Sequence, residues 1–75
     1  MNIRVFGQLI EIVGTDTITI DAVADTFNLK DSLVEKFPAL SQMDFLIAVD
    51  KKQVVENTGI DDKSFIVLMP PFSGG

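Results

Sequence analysis

The sequence lacks the side chains on which most active sites depend. Its 75 residues include no cysteine, histidine, tryptophan or tyrosine. Without cysteine, the chain forms no disulfide, zinc thiolate site, cysteine-ligated iron–sulfur cluster or thiol nucleophile. Without histidine, it also lacks the usual general base near neutral pH and the commonest metal ligand. We therefore predict that the chain binds no metal or cofactor itself and has no independent active site.

Positive charge and long apolar runs are also scarce. Six Lys and Arg residues stand against eleven Asp and Glu, which gives a net charge of −5. This balance argues against a partner that is nucleic acid or an anionic membrane, and it fits a protein partner with a basic patch. No apolar run has the length of a membrane span, and residues 1–4 begin a strand pattern rather than a signal peptide. We therefore expect a cytoplasmic protein.

Apolar side chains are plentiful, at 47% of the residues, which is enough for the core of one small domain. Ile3 and Val5 alternate with Arg4 and Phe6, which predicts a strand. The alternation is lost over residues 8–13 and a turn follows. Residues 17–21 alternate again, and their short distance from the first strand predicts an antiparallel pair.

An apolar stripe in the middle of the chain predicts one helix. Leu29, Leu33 and Phe37 recur at helical spacing, and Pro38 should end the helix because the residue before a proline is disfavoured in helical geometry. A short helical turn is expected over residues 39–43. The residue types leave three candidates for the N-cap, namely Asp25, Thr26 and Asn28.

Three further strands are predicted, over residues 45–49, 53–55 and 64–69. The order strand, strand, helix, strand, short strand, strand predicts an α+β fold of the β-grasp, or ubiquitin-like, type. In this roll one main helix crosses one face of a mixed sheet and the last strand lies in its middle. We expect residues 1–69 to form the domain and residues 70–75 to leave it as a free, extended tail.

The second face of this sheet is less clear from the pattern. A strand with one solvated face should alternate apolar and polar residues. Residues 45–49 and 65–69 do not alternate. Either a loop covers this face, or it is an exposed apolar patch that a partner covers.

The tail "PPFSGG" combines stiffness with small residues. Pro70 and Pro71 cannot donate ladder hydrogen bonds, so strand pairing should stop at Met69 and the six tail residues could reach roughly 20 Å. Phe72 offers an apolar anchor. The remaining three residues could enter a narrow channel, because Ser73 is small and Gly74 and Gly75 have no side chain.

The reactive group that this tail offers is the carboxylate of Gly75. A partner could activate it as an acyl-adenylate, and a nucleophile would then displace AMP. A sulfur nucleophile would leave a thiocarboxylate, whereas an amine would leave an amide-linked tag. The ordinary interpretation of two terminal glycines is a flexible end. The proline spacer and the preceding central strand favour a reactive tail.

Four stretches resemble the small, sulfur-carrying subunits of molybdopterin synthase, within the ubiquitin-like sulfur carriers. They are "VFGQLIEIVG" at residues 5–14, "LVEKFPAL" at 33–40, "IAVDKKQV" at 47–54 and "DDKSFIVLMPPFSGG" at 61–75. The paired prolines before Gly-Gly are the most specific feature. The sequence departs from the family at Ile10, where an arginine is common, and at residues 61–63, where Asp-Gly-Asp is usual.

The resemblance implies a cycle in which Gly75 is the reaction site and the chain itself is a carrier. An adenylating enzyme of the ubiquitin-activating type would charge Gly75, using ATP and magnesium that the enzyme binds. A sulfur donor system would then form the thiocarboxylate, and the large synthase subunit would use it to build the molybdopterin dithiolene. The resemblance also implies a heterotetramer with the large subunits at its centre.

Aligning the last strand from Gly75 predicts that Ile66 and Leu68 face the core. The opposite face would then bind the adenylating enzyme and the large subunit at different times. The predicted interface consists of Phe6, Leu46, Ala48, Phe65, Val67 and Met69.

Three alternatives remain open at this stage. The chain could carry sulfur for thiamine or another pathway, with the same fold and chemistry but a different recipient. It could be a ubiquitin-like modifier whose Gly75 becomes joined to lysines of other proteins. It could also be a β-grasp binding module with an inert tail.

Overall fold

A computed structural model describes residues 1–71 of the chain. Within that range five strands form one sheet, accompanied by two α-helices and one 3₁₀ helix. In chain order these are β1 (Asn2–Val5), α1 (Leu9–Val13), β2 (Thr17–Thr19), α2 (Thr26–Lys36), the 3₁₀ helix (Pro38–Gln42), β3 (Leu46–Val49), β4 (Lys52–Val54) and β5 (Ile66–Met69).

The sheet is mixed, and its last strand lies at its centre. The strand order is β2-β1-β5-β3-β4. Strand β5 runs parallel to β1 and antiparallel to β3, while β2 and β4 form antiparallel pairs at the two edges. The predicted β-grasp architecture is confirmed, including the antiparallel pairing of the first two strands.

Helix α2 forms where the apolar stripe predicts it. The side chain of Asp25 accepts a hydrogen bond from the backbone N–H of Asn28 at 2.8 Å, so Asp25 is the N-cap among the three candidates. The helix ends at Lys36, two residues before Pro38, as expected. Leu29 and Leu33 are both fully buried.

Helix α1 was not predicted. Residues 9–13 form a short helix of little more than one turn. Gly14 caps its C-terminal end in the left-handed region, with φ 83°. Its one fully buried residue is Leu9, and five residues are too few to establish a helical period. The predicted element order was therefore incomplete between the first two strands.

All helical elements contribute to a single core on one face of the sheet. The apolar cluster joins side chains from β1, β2, β3 and β5 to side chains of the three helices. Its members are Ile3, Val5, Leu9, Ile18, Leu29, Leu33, Leu40, Ile47, Val49, Ile66 and Leu68. Among residues 1–71, no helix has the length and apolarity needed to cross a membrane.

Candidate functional site

The base of the tail is held by the two central ladders of the sheet. Met69, the last residue of β5, is the register partner of Leu46 in β3. On the other side, the backbone N–H of Phe6 donates to the carbonyl oxygen of Leu68 at 3.0 Å. Pairing of β5 thus ends at Met69, as the two prolines predict. The chain leaves the domain from a strand that has a neighbour on both sides.

Gly7 lies close to the ring of Pro70 at this base. Gly7 has φ +64°, in the left-handed region that favours glycine. A Cβ atom at Gly7 would lie 2.9 Å from Cγ of Pro70, which is too close without a shift of the proline ring. The absence of a side chain at Gly7 therefore lets Pro70 pack against the end of β1. Sequence reasoning missed this role, although a glycine directly after a strand was the available signal.

Replacing Gly7 by Ala should displace the tail base as well as strain the backbone. We expect Gly7→Ala to destabilise the domain by about 2 kcal/mol, because a left-handed alanine costs about 1 kcal/mol and the Pro70 contact adds to it. The matched control is Gly14→Ala, which has φ +83° but no atom within 4 Å of the new Cβ. Chemical denaturation of both variants measures the difference. Equal losses of stability in Gly7→Ala and Gly14→Ala would show that the Pro70 contact does not contribute to stability.

The two prolines are the part of the tail that the structure describes. Pro70 is half-buried and Pro71 is exposed. Both border a cleft of about 230 Å³ whose other walls come from Gln8, Leu9, Met43 and Asp44. The four other tail residues named from the sequence lie outside the described residues. They are Phe72, Ser73, Gly74 and Gly75.

The second face of the sheet carries the predicted interface residues. Side chains alternate between faces along a strand, and Ile66 and Leu68 belong to the core cluster. Val67 therefore points to the opposite face, which we call the open face. Register pairing gives one row across this face. The row runs Thr17–Arg4–Val67–Ala48–Gln53 from β2 to β4.

The six predicted residues share the open face but differ in accessibility. Phe6 and Phe65 are exposed, at 46% and 49%. Leu46 and Met69 are half-buried. Ala48 and Val67 retain only 6% and 7% of their surface, although neither belongs to the core cluster. Both lie on central strands with neighbours on either side, which accounts for their low accessibility, and their part in a partner interface stays a prediction.

Phe65 is tied to the open face by its backbone. Its N–H donates to Oδ1 of Asp50 at 2.9 Å, and its carbonyl oxygen accepts the N–H of Asp50 at 2.8 Å. These bonds extend the pairing of β3 and β5 by one residue beyond the ladder. The backbone of Phe65 is therefore held in place, even though β5 begins only at Ile66.

Arg4 adds a positive charge to the open face that sequence reasoning did not single out. Its guanidinium carbon lies 6.0 Å from the centroid of the Phe6 ring, within the range of a cation–π contact. The alternation of Arg4 with Ile3 and Val5 was the signal that placed it there. Within residues 1–71, Arg4 thus places a cation on the open face next to the exposed ring of Phe6.

This arrangement suits the docking of a partner on the open face. Among residues 1–71, no three His, Cys, Asp or Glu side chains come together to hold a metal ion. The structure places the open face next to the base of the tail. Val5 of β1 is paired with Leu68, and the two residues after Val5 are Phe6, on the open face, and Gly7, at the base of the tail. A partner that covers the open face near Phe6 and Met69 would also lie at the start of the tail.

Comparisons with known proteins agree with this geometry. The model of the ThiS family matches residues 3–75. A Caenorhabditis briggsae protein named molybdopterin synthase sulfur carrier subunit is 32% identical over 76 residues, covering 93% of this chain and 90% of that protein.

Two solved structures share the fold over nearly the whole chain. SAMP1 from Haloferax volcanii has a TM-score of 0.79 at 22% identity and covers 99% of this chain and 97% of its own. A putative molybdopterin converting factor, subunit 1, from Pyrococcus furiosus has a TM-score of 0.80 at 17% identity, with 95% of each chain covered.

Proposed function

This chain belongs to the ThiS family, and we propose that it is the ubiquitin-like sulfur carrier of a molybdopterin synthase, with Gly75 as the residue that carries sulfur. The observation that carries the proposal is the position of β5. The central strand of the sheet ends at Met69, and Pro70 packs against Gly7, so residues 71–75 follow directly from an anchored base. The sulfur carrier subunit from Caenorhabditis briggsae, which matches over 93% of this chain, supports the choice of pathway.

The proposed chemistry takes place on the carboxylate of Gly75. A carboxylate oxygen attacks the α-phosphorus of ATP, pyrophosphate leaves, and an acyl-adenylate forms. Hydrosulfide supplied by the donor system then attacks the acyl carbon and displaces AMP, and loss of its proton leaves the thiocarboxylate. The adenylating enzyme supplies ATP, magnesium and the catalytic groups, and this chain supplies the acyl group and the surface that the enzyme recognises.

The second half of the cycle needs the large subunit of molybdopterin synthase. We propose that this subunit covers the open face and receives the tail, so that the sulfur on Gly75 reaches the precursor pterin. Phe72 would anchor the tail, and Ser73 and Gly74 would allow passage through a narrow channel. The adenylating enzyme would use the same face at another time. These encounters would take place in the cytoplasm.

Intact mass spectrometry tests the proposal directly. The purified chain is first weighed to establish that it ends at Gly75. It is then incubated with ATP, magnesium, the adenylating enzyme and a sulfur source. We expect the mass change of one oxygen replaced by sulfur, located at Gly75 by fragmentation. A reaction without ATP is the control, and it should leave the mass unchanged.

The other products of the same reaction identify the competing functions. High-mass conjugates joined through Gly75 would show a protein modifier instead of a carrier. Sulfur exchange without binding to the large synthase subunit would assign the carrier to a different pathway. An unreactive chain would show that the tail is inert.

A further inference from the structure

Within residues 1–71, the five strands of the sheet carry no acidic residue, although the protein is strongly acidic. The chain has eleven Asp and Glu residues. None lies in any of the five strands within residues 1–71, whose sequences are NIRV, TIT, LIAV, KQV and IVLM. The strands contain two cations, Arg4 and Lys52. Lys52 pairs with Val49, a core residue, and so points to the other face, which leaves Arg4 as the one strand charge on the open face.

Arg4 has uncharged neighbours across both of its ladders. Its register partners are Thr17 in β2 and Val67 in β5. The side chain is exposed, and its guanidinium lies over the ring of Phe6. Two acidic residues flank the strands, and the hydrogen bonds of their carboxylates within residues 1–71 go to other groups than Arg4: Asp50 accepts from Phe65 and Asp16 accepts from Thr17. No strand of the sheet therefore provides a carboxylate for Arg4.

From this placement we propose that Arg4 is a specificity residue that pairs with an Asp or Glu carboxylate on the large synthase subunit. The planar guanidinium matches a carboxylate through two parallel hydrogen bonds. A partner that covers Val67 and Ala48 beside Arg4 would also exclude water from this ion pair. A partner group of the wrong charge at this position would then weaken binding strongly. The inference rests on the proposed function, because it names the chemistry of the partner at the same face.

A protein carboxylate fits this position better than a small anion. Arg4 lies on a sheet face, where the flanking backbone groups are already used in the ladders with β2 and β5. Apolar Val67 and Ala48 follow it in the row. A phosphate ligand would meet a single cation there, whereas a protein surface can cover the apolar row and reach Arg4 at once. The net charge of −5 also opposes binding of polyanions.

Binding affinities of charge variants test the inference. The dissociation constant of the purified large subunit is measured for the full chain and for Arg4→Gln, Arg4→Lys and Arg4→Glu. We expect Arg4→Gln to weaken binding by at least about 30-fold, because the partner's carboxylate is left buried and unpaired. Arg4→Lys should recover only part of the affinity, because it keeps the charge but cannot make two parallel hydrogen bonds, and Arg4→Glu should bind more weakly than Arg4→Gln.

The matched control is Lys63→Gln, which makes the same charge change in a loop outside the sheet. We expect its affinity to stay within about 2-fold of the original, and its salt dependence to be unchanged, since rim charges contribute little. Arg4→Gln should instead lose part of the salt dependence.

Each remaining outcome overturns a specific statement. If the original chain binds the large subunit and Arg4→Gln binds equally well, the carboxylate inference is wrong and the proposed function stands. If Arg4→Gln binds the large subunit normally but self-associates in sedimentation, the role of Arg4 is to prevent two copies of this chain from associating. If Arg4→Glu binds more tightly, the partner group is a cation. If the original chain does not bind, the proposed function fails and the inference fails with it.

Discussion

Deleting Gly75 should abolish sulfur loading without affecting the fold. The core cluster lies between Ile3 and Leu68, so loss of the last residue removes no core contact. The new terminal carboxylate, on Gly74, would be one residue short, by about 3.3 Å. A displacement of about 1 Å already costs about 100-fold in a reaction that needs positioned groups. We expect no detectable oxygen-for-sulfur exchange by intact mass.

Ser73→Ala is the control for the deletion. It changes the same tail but keeps both its length and the carboxylate of Gly75, so we expect it to be loaded at close to the original rate. Thermal unfolding should give the same midpoint for both variants as for the original chain. Loading of the deletion variant at the original rate would contradict the assignment of Gly75.

Val67→Asp should have the second largest effect, on partner binding. Val67 lies in the middle of the open face, between Arg4 and Ala48 in the register. A carboxylate at this position must be desolvated when the partner binds. It would also pair with Arg4 and so compete with the carboxylate of the partner. We expect the large subunit and the adenylating enzyme each to bind at least about 100-fold more weakly. The domain should also lose about 3 kcal/mol or more of stability, because Val67 retains only 7% of its surface and a carboxylate in its place would be buried, so thermal unfolding must first show that the variant is folded.

Val67→Thr is the control variant, and it separates the effect of side-chain shape on binding from the effect of charge. Threonine is also β-branched and has nearly the same size, so it keeps the strand geometry while adding one hydroxyl group. We expect it to weaken binding by less than about 10-fold, because a hydroxyl is far less costly to cover than a carboxylate. A folded Val67→Asp protein that binds both partners normally would remove the open face from the proposal.

Much of the fold could be predicted because local patterns and long-range structure agree. Leu29 and Leu33 repeat at helical spacing and both are fully buried. Pro38 marks the end of the helix in the sequence and in the structure. The central position of β5 followed from the element order, since in this roll the last strand pairs with the first.

The missed features depend on contacts that a local pattern does not contain. Helix α1 is too short to show a period, and its Leu9 is buried by residues distant in sequence. The contact between Gly7 and Pro70 joins opposite ends of the chain, and it exists only because β1 and β5 run parallel. The low accessibility of Val67 depends on its neighbours in β1 and β3. The roles assigned to residues 72–75 remain predictions.

The central position of β5 also determines how the domain responds to a mechanical load. A partner that draws in the tail pulls on Pro70 along the axis of β5. That force acts on the ladders with β1 and β3 together, and it acts in shear, because the hydrogen bonds run across the strand. They would have to break as a group instead of opening one after another from an edge. Tension on the tail would therefore be shared by both neighbours of β5 instead of acting on a single edge ladder.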